Sequence, residues 1–452
     1  MLIGARLRHF VGGYRGFSRN ARIFISSSFL SSAAFGLFFV NFNLYLAARG
    51  FDAATIGLVA TTSGLSIAAA AIPASIVANR IGRRLTMLLG LGTVMVALMG
   101  YVLVDTLPAI FGLTVLYGAG QQLLLIPVSP FLAENSTAEQ RNEVFALHGA
   151  TFNMSQVIAG LSAGVVVGII LGGRASDQVA SFHILLVVMV MLFGGAALLL
   201  ATIHDDRHGP AQPQMGVIPP EPNQPPVAAD GMRTRLARIG IHVSDGRLFL
   251  KLVAPGFLVG VGAGQVLPFL NLYIVGRFGL DLSTTNAVFA VSALGTTIAI
   301  LVQPVIARRY GKIQSVVLVQ AASIPFIIVL GFAPWIALVI VGMTVRNALM
   351  NAANPIFSAY VSERVGRRER ATLSATMSMT WSIAWAIGGV YYSTVQATLG
   401  FARGYDINFL TIIVFYSTAT TLYYVWFARP ERTKRAADSR AGAASQPAKP
   451  AP

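Results

Sequence analysis

Polar residues and short loops divide the chain into apolar stretches of similar length. A helix needs about 20 apolar residues to cross roughly 30 Å of hydrocarbon. Twelve stretches qualify, at about 22–47, 55–79, 85–104, 107–133, 142–171, 179–203, 248–275, 283–307, 313–333, 335–362, 371–398 and 405–427. The pattern predicts an all-α membrane protein of twelve transmembrane helices. Several stretches exceed the minimum and are expected to tilt or project into the cytoplasm. Neighbouring spans nearly touch at Pro108 and at Trp335. The first stretch is too long for a cleaved signal peptide and has no small-residue cleavage site before a soluble domain, so it is expected to remain as a span.

Composition supports this pattern. Hydrophobic residues make up 55% of the chain and charged residues 11%, where a soluble domain carries about twice that charge. There is no cysteine, which excludes disulfides, thiolate metal sites and cysteine nucleophiles. The net charge of +16 raises nucleic acid as a partner, but the distribution of charge argues against it. With the N-terminus placed in the cytoplasm, 28 of the 33 Lys and Arg fall in cytoplasmic segments. Only Arg49, Arg174, Arg277 and Arg403 fall in outer loops, and Arg346 is the one left within a span. This bias places both termini in the cytoplasm, with the chain in the cytoplasmic membrane. Basic loops beside anionic lipid account for the excess charge.

The expected organisation is a cytoplasmic segment 1–21, a six-helix bundle 22–203, a cytoplasmic linker 204–247, a second six-helix bundle 248–427 and a disordered tail 428–452. The linker contains "PAQPQMGVIPPEPNQPP", too rich in proline for regular structure and suited to a tether. After it, "MRTRLARIGI" has the composition of a short basic helix on the membrane surface. The tail is polar and rich in Ala and Pro.

The two halves repeat. "NLYLAARGF" at 43–51 matches "NLYIVGRFG" at 271–279, and "VANRIGRR" at 77–84 matches "IARRYGKI" at 306–313. Glu134 and Arg141 recur as Glu363 and Arg370. All these matches lie 228 or 229 residues apart. A duplicated six-helix unit is a transporter signature, because such halves can rock about a site at the bilayer midplane.

On these residues the chain resembles the major facilitator superfamily over nearly its whole length, the linker and tail excepted. The family pattern between spans two and three is G-x-x-x-D-R-x-G-R-[RK]. Here it reads "SIVANRIGRR". Arg80, Gly82, Arg83 and Arg84 fit, while Ser75 replaces the glycine and Asn79 the aspartate. Arg309, Gly311 and Lys312 occupy the repeated loop. The pairs Glu134 with Arg141 and Glu363 with Arg370 are similar to those of the sugar-porter branch. The resemblance implies that these residues gate: cations at one helix end pair with carboxylates at a neighbouring end when the cytoplasmic side closes, and separate when it opens. Ordinary positive-inside charge is the competing reading. Asn79 can accept a hydrogen bond but brings no charge. Glycines recur every fourth residue at 160, 164 and 168 and again at 256, 260 and 264, a spacing for close helix contact. The resemblance to the drug–proton antiporter motif in span five is partial, since Val165 stands for its proline and Ile169 for its last glycine.

Arg346 lies 11 residues past Trp335 and 17 before Glu363, well inside the hydrocarbon at 1.5 Å per residue. A charge there costs roughly 2.5–3.5 kcal/mol on insertion scales, so it must face protein or a watery cavity. Asn347, Asn351 and Asn354 share its side of the helix. Aligning Pro130 with Pro355 sets Gln121 and Gln122 opposite Arg346 and Asn347. The resemblance implies that spans one, four, seven and ten line the central cavity. Depth adds Gln265, Asn153, Gln156, Trp381 and Trp385. Toward the outer end it adds Asn41, Asn43 and Tyr45, with Asn271 and Tyr273 as repeat partners. Interhelical glue is the competing reading for each amide, and simple packing for each tryptophan.

All 17 Asp and Glu can be placed in loops, tails or span ends. Proton-coupled carriers usually need a titratable group in the pathway. This favours facilitated diffusion or exchange unless His148 or Glu143 couples protons. No zinc pattern, nucleophile elbow or phosphate loop is present. His204 and His208 beside Asp205 and Asp206 sit in the linker and read as solvated side chains, so neither metal nor cofactor is expected, and no enzymatic activity. The leading reading is a monomeric secondary active or facilitative transporter working by rocker-switch alternating access. Its substrate would be a small solute, anionic or rich in acceptor oxygens to match Arg346. The alternatives are a proton-coupled multidrug exporter and a non-transporting membrane receptor or scaffold.

Overall fold

The computed structural model describes residues 16–137, 140–171, 178–203, 245–365 and 367–433. Nearly all of the expected linker, the basic stretch after it, and the tail from 434 onward lie outside the described residues. Among the described residues the structure is helical, with no strand. The first half comprises Arg19–Ala48, Ala53–Ile81, Arg83–Leu103, then Leu107–Leu125 continued by Val128–Glu134, then Arg141–Leu171 and Gln178–Ala201. These are spans one to six. Span seven is Gly246–Gly264 continued by Leu267–Phe269 and Leu270–Phe278. Spans eight to ten are Leu282–Tyr310, Lys312–Phe332 and Ile336–Arg364. Spans eleven and twelve share Arg367–Tyr423, divided at Gly400 (φ 71°, ψ −175°). Among the described residues ten helical stretches are long and apolar enough to cross a membrane, one of them the double-length Thr372–Thr433. Its division at Gly400 and the 31-residue fifth span make twelve.

The boundaries have local causes. Where a loop over 399–404 was expected, Gly400 turns the chain within one residue, in a conformation that only glycine adopts without strain. Gly50, Gly82, Gly279 and Gly311 also have positive φ, from 64° to 91°. They form two repeat-related pairs and make the tight turns between spans. Asp52 caps span two by accepting from the Thr55 N–H at 2.9 Å, and Asp281 caps span eight through Thr284 at 2.8 Å. Span seven breaks after Gly264 because Pro268 has no N–H to continue the ladder.

Each half packs by the same plan. Span one lies on five and six, and span three on four and six; span seven lies on the eleven–twelve pair, and nine on ten and twelve. The halves meet where span two packs on span eleven, five on eight, and one on the outer part of seven. Small residues permit these approaches. A Cβ on Gly57 would sit 2.9 Å from Ser393, and one on Gly160 would sit 3.2 Å from Ala290. Within the second half, Gly264 and Gly388 bring spans seven and eleven into backbone contact.

That contact is testable. A Cβ at Gly388 would lie 2.7 Å from the Gln265 nitrogen and from the Gly264 carbonyl carbon. Gly388→Ala is expected to destabilise the fold by about 1–3 kcal/mol, as overpacking does, read as a lower thermal unfolding midpoint in detergent. Gly92→Ala, with nothing within 4 Å, should leave the midpoint unchanged or raise it, since alanine favours a helix over glycine by about 1 kcal/mol.

Candidate functional site

A cavity of about 470 Å³ lies at mid-depth between the halves. Phe35, Phe38, Phe39 and Phe42 form one face of span one, at the i, i+3, i+4, i+7 spacing of a helix stripe. Phe38 stacks on Tyr117 with ring centroids 4.0 Å apart and on Phe42 at 4.4 Å. Phe152 adds to the wall from span five; Phe269 and Trp385 face it from the second half. No Asp, Glu, His, Lys or Arg is among the described residues that line it. The polar groups are amides and hydroxyls, including Gln121, Gln156, Asn43 and Ser63. Of the residues expected to contact substrate, the structure brings Gln121, Gln156, Asn43 and Trp385 to this wall. Gln156 is pressed against span one, where a Cβ on Gly36 would lie 2.8 Å from it.

Arg346 does not line the cavity. It is 3% exposed and packs within the second half. Its guanidinium donates to the Tyr416 hydroxyl and to Asn347 Oδ1, the latter at 2.9 Å, and lies 5.2 Å from the Tyr416 ring centroid. Among the described residues no carboxylate pairs with it. Helix geometry put Asn347 on the same side of span ten; it did not reveal that this side meets span twelve and, through Asn347 to Ser292 at 3.0 Å, span eight. Asn351 donates back to the Asn347 carbonyl, and Asn153 to the Gly149 carbonyl, both within their own helices. Gln122 and Trp381 are also absent from the wall; Trp381 instead packs beside Trp385, 6.1 Å away, and near Gly260. Gln265 sits at the break in span seven, fully buried, with neither amide atom partnered.

Tyr45 and Tyr273, expected at the cavity, brace the outer ends of their own halves. Arg49 donates to the Tyr45 hydroxyl at 2.9 Å and to the Val104 carbonyl at 3.0 Å, and pairs with Asp105. Arg277 repeats this, donating to the Tyr273 hydroxyl and to the Ala333 carbonyl, the latter at 3.0 Å. The repeated Asn-Leu-Tyr sequences thus serve two purposes, because their asparagines point the other way. Asn43 Nδ2 donates to the Pro268 carbonyl and Asn271 Nδ2 to the Val40 carbonyl, each at 2.6 Å across the two halves. Asn41 and Asn286 exchange amide hydrogen bonds at 3.0 and 2.9 Å. Ser393 donates to the Ala54 carbonyl at 2.7 Å. Beside them Phe269, facing the cavity, stacks on Tyr392 at 3.7 Å with the rings 4° from parallel. Together these form a septum near the end opposite the basic loops. Asn286 gave no signal in sequence, being an ordinary span residue until the halves meet, and neither did the Phe269–Tyr392 stack, which forms where spans seven and eleven of the second half pack.

At the basic end Arg83 pairs with Glu134 at 3.4 Å and donates to Asn79 Oδ1 at 2.8 Å. Lys312 pairs with Glu363, the repeat-related positions. Both pairs join helix ends of one half rather than opposite halves. Their carboxylates are more than half exposed, so each contributes about 0–1 kcal/mol. Arg84 donates to the Ala201 carbonyl and Arg141 to the Ala133 carbonyl, and Arg80 is exposed. Gly82 and Gly311 are the turn glycines. The side chains of Arg309 and Arg370 lie outside the described set. At the same end an apolar cluster around Leu252, Ile313, Tyr360 and Tyr423 belongs to the second half alone.

The sequence matches the family described as the Major Facilitator Superfamily over residues 24–389. The chain belongs to that superfamily. No curated protein matches it. Among solved structures it is similar to the nucleoside transporter NupG, with TM-score 0.70 and 15% identity, over 90% of this chain and 100% of that one. A bacterial homologue of the human lysosomal transporter Spinster, inward-facing and unoccupied, gives TM-score 0.70 and 14% identity, over 91% and 96%. A D-xylose–proton symporter gives 0.68 and 11%, over 89% and 96%. At these identities the likeness is one of fold. The superfamily membership makes the chain a multi-pass membrane transporter of small solutes and the central cavity its candidate substrate site.

In a superfamily carrier the septum has to part for the cavity to reach the opposite face. Removing the Asn43 and Asn271 amides together should favour that opening. The chain has no native cysteine, so a single Ala60→Cys in the cavity wall reports access. Asn43→Ala with Asn271→Ala is expected to raise its labelling by an impermeant maleimide, added from the face opposite the basic loops, several-fold. An unchanged rate would show that the septum is held by packing alone.

Proposed function

We propose that this transporter carries an uncharged, ring-bearing small solute, without coupling to protons, by alternating access through the central cavity. One observation carries the reading: the cavity wall is built of aromatic rings and amides and holds no group that ionises near neutral pH. Rings stacked face to edge or offset gain about 0.5–1.5 kcal/mol beyond their area burial, and Gln121 and Gln156 supply donors and acceptors that fix orientation. An anionic substrate loses its support, because Arg346, the cation at this depth among the described residues, is turned into the second half. Nucleosides have the required chemistry and are carried by one structural neighbour; they belong first in a substrate panel.

In this reading the septum closes the outer face while the basic end faces the cytoplasm. The charge bias supports that orientation, both cytoplasmic termini and residence in the cytoplasmic membrane. The exposed pairs Arg83–Glu134 and Lys312–Glu363 hold the helix ends of each half together as it rocks, and the carrier acts as a monomer. Proton-coupled export would require a titratable group in the wall. A receptor or scaffold role would leave an aromatic cavity between rocking halves without use.

Flux in proteoliposomes tests the proposal. Uptake of a ring-bearing neutral solute should persist when the pH gradient is collapsed; loss of uptake would favour the proton-coupled exporter, and no flux across a broad panel would favour the scaffold. Gln121→Ala and Gln156→Ala should each raise KM about 2–10-fold, the loss of one hydrogen bond of about 0.5–1.5 kcal/mol. Arg346→Gln should keep flux per folded molecule within about twofold, because it breaks contacts to Tyr416 and Asn347 rather than to substrate. Flux below a tenth of wild type in that variant would restore Arg346 to the substrate site.

A further inference from the structure

A second cavity of about 630 Å³ lies on the other side of the septum, open at the end opposite the basic loops. Both halves build it: Leu44, Ala48 and Phe182 from the first, Leu272, Tyr392 and Phe401 from the second. Its wall is mostly apolar, and its size falls in the range of ligand sites, about 300–1,000 Å³. Among the described residues lining it, Asp281 is the one that carries charge. The Asp281 carboxylate is exposed at the rim. Its Oδ1 caps span eight through the Thr284 N–H at 2.8 Å. The hydrogen bonds from Thr284 also hold its carboxyl below the ordinary range, so it is ionised at neutral pH. Two arginines adjoin lining residues, Arg49 beside Ala48 and Arg277 beside Gly276, and both are engaged elsewhere. Arg49 is turned to Asp105 and the Val104 carbonyl, and Arg277 to the Gly331 and Ala333 carbonyls.

We propose that this crevice binds lipophilic cations: bulky apolar groups against the Leu44–Phe182–Phe401 wall, and positive charge toward Asp281. Because the two walls come from opposite halves, the site exists only while the septum is closed. A bound cation therefore holds the carrier in the septum-closed state and inhibits it without competing for the central cavity. By mass action, binding to one conformation shifts the population toward it by the differential affinity and no more.

Tetraphenylphosphonium and tetraphenylborate have the same shape and opposite charge, which separates the carboxylate's contribution from simple greasiness. Ser283 lines the crevice, so Ser283→Cys in the cysteine-free chain reports its occupancy. Maleimide labelling of Ser283→Cys in the full-length protein is expected to slow at least fivefold with tetraphenylphosphonium and little with tetraphenylborate. Adding Asp281→Asn, which keeps an N-cap side chain, should remove that protection. Ala48→Trp, which fills the crevice, should remove it without touching the carboxylate. Equal protection by both ions, protection that survives Asp281→Asn, or protection confined to an Ala60→Cys reporter in the central cavity would each overturn the proposal. The readout is labelling rather than flux, so the result stands apart from the substrate assigned to the central cavity.

Discussion

Two asparagine amides and two backbone carbonyls tie the halves of this carrier together across the septum. Asn43 and Asn271 each reach across the half-to-half boundary to the other half's lining helix, at 2.6 Å in both cases. The choice of neutral groups matters. A charged latch here would have to be desolvated each time the septum closed, at a cost of several kcal/mol per ion. Interhelical amide hydrogen bonds in membranes average about 0.6 kcal/mol and reach about 1.7. A few such bonds across the halves make a closure firm enough to seal and weak enough to part. The rest of the site follows from it, since the septum is the floor of one cavity and the ceiling of the other.

Duplication built a nearly symmetric frame, and the chemistry sits where symmetry fails. The turn glycines, the Asp52 and Asp281 caps, the Tyr–Arg braces and the exposed ion pairs all recur in both halves. The central cavity does not. Its aromatic stripe comes from span one, while the repeat-related part of span seven is broken at Gln265 and contributes Gly264, Pro268 and Phe269. Asn41 pairs with Asn286, yet its own repeat position is Phe269. Likewise Asp281 lines the outer crevice and Asp52 does not.

The buried Arg346 shows how a charge can be kept in a membrane without an acid beside it. Its solvation is divided between a phenol hydroxyl, an amide oxygen and a ring face. The cation–π contact contributes about 2 kcal/mol or more when desolvated, which offsets much of an insertion cost of roughly 2.5–3.5 kcal/mol. Tyr416 is fully buried with it, so the pair ties spans ten and twelve together as a strut of the second half.

Some of this was legible in the chain itself. Span number, the repeat and the charge bias are local or one-dimensional properties, set by hydrocarbon thickness and by the cost of moving Lys and Arg across it. The depth of Gln121 and Gln156 was likewise a matter of counting residues. What counting could not supply was direction. The sequence placed Arg346, Gln265, Tyr45 and Tyr273 at cavity depth, but depth is shared by every side of a helix, and only the contacts of Arg346 with Tyr416 of span twelve, of span seven with span eleven, and of Tyr45 and Tyr273 with the ends of spans three and nine turned those side chains away. The septum and the outer crevice are further still from the sequence. Each is made by residues more than 200 positions apart, such as Asn41 with Asn286, whose meeting is decided by how the two bundles lean together.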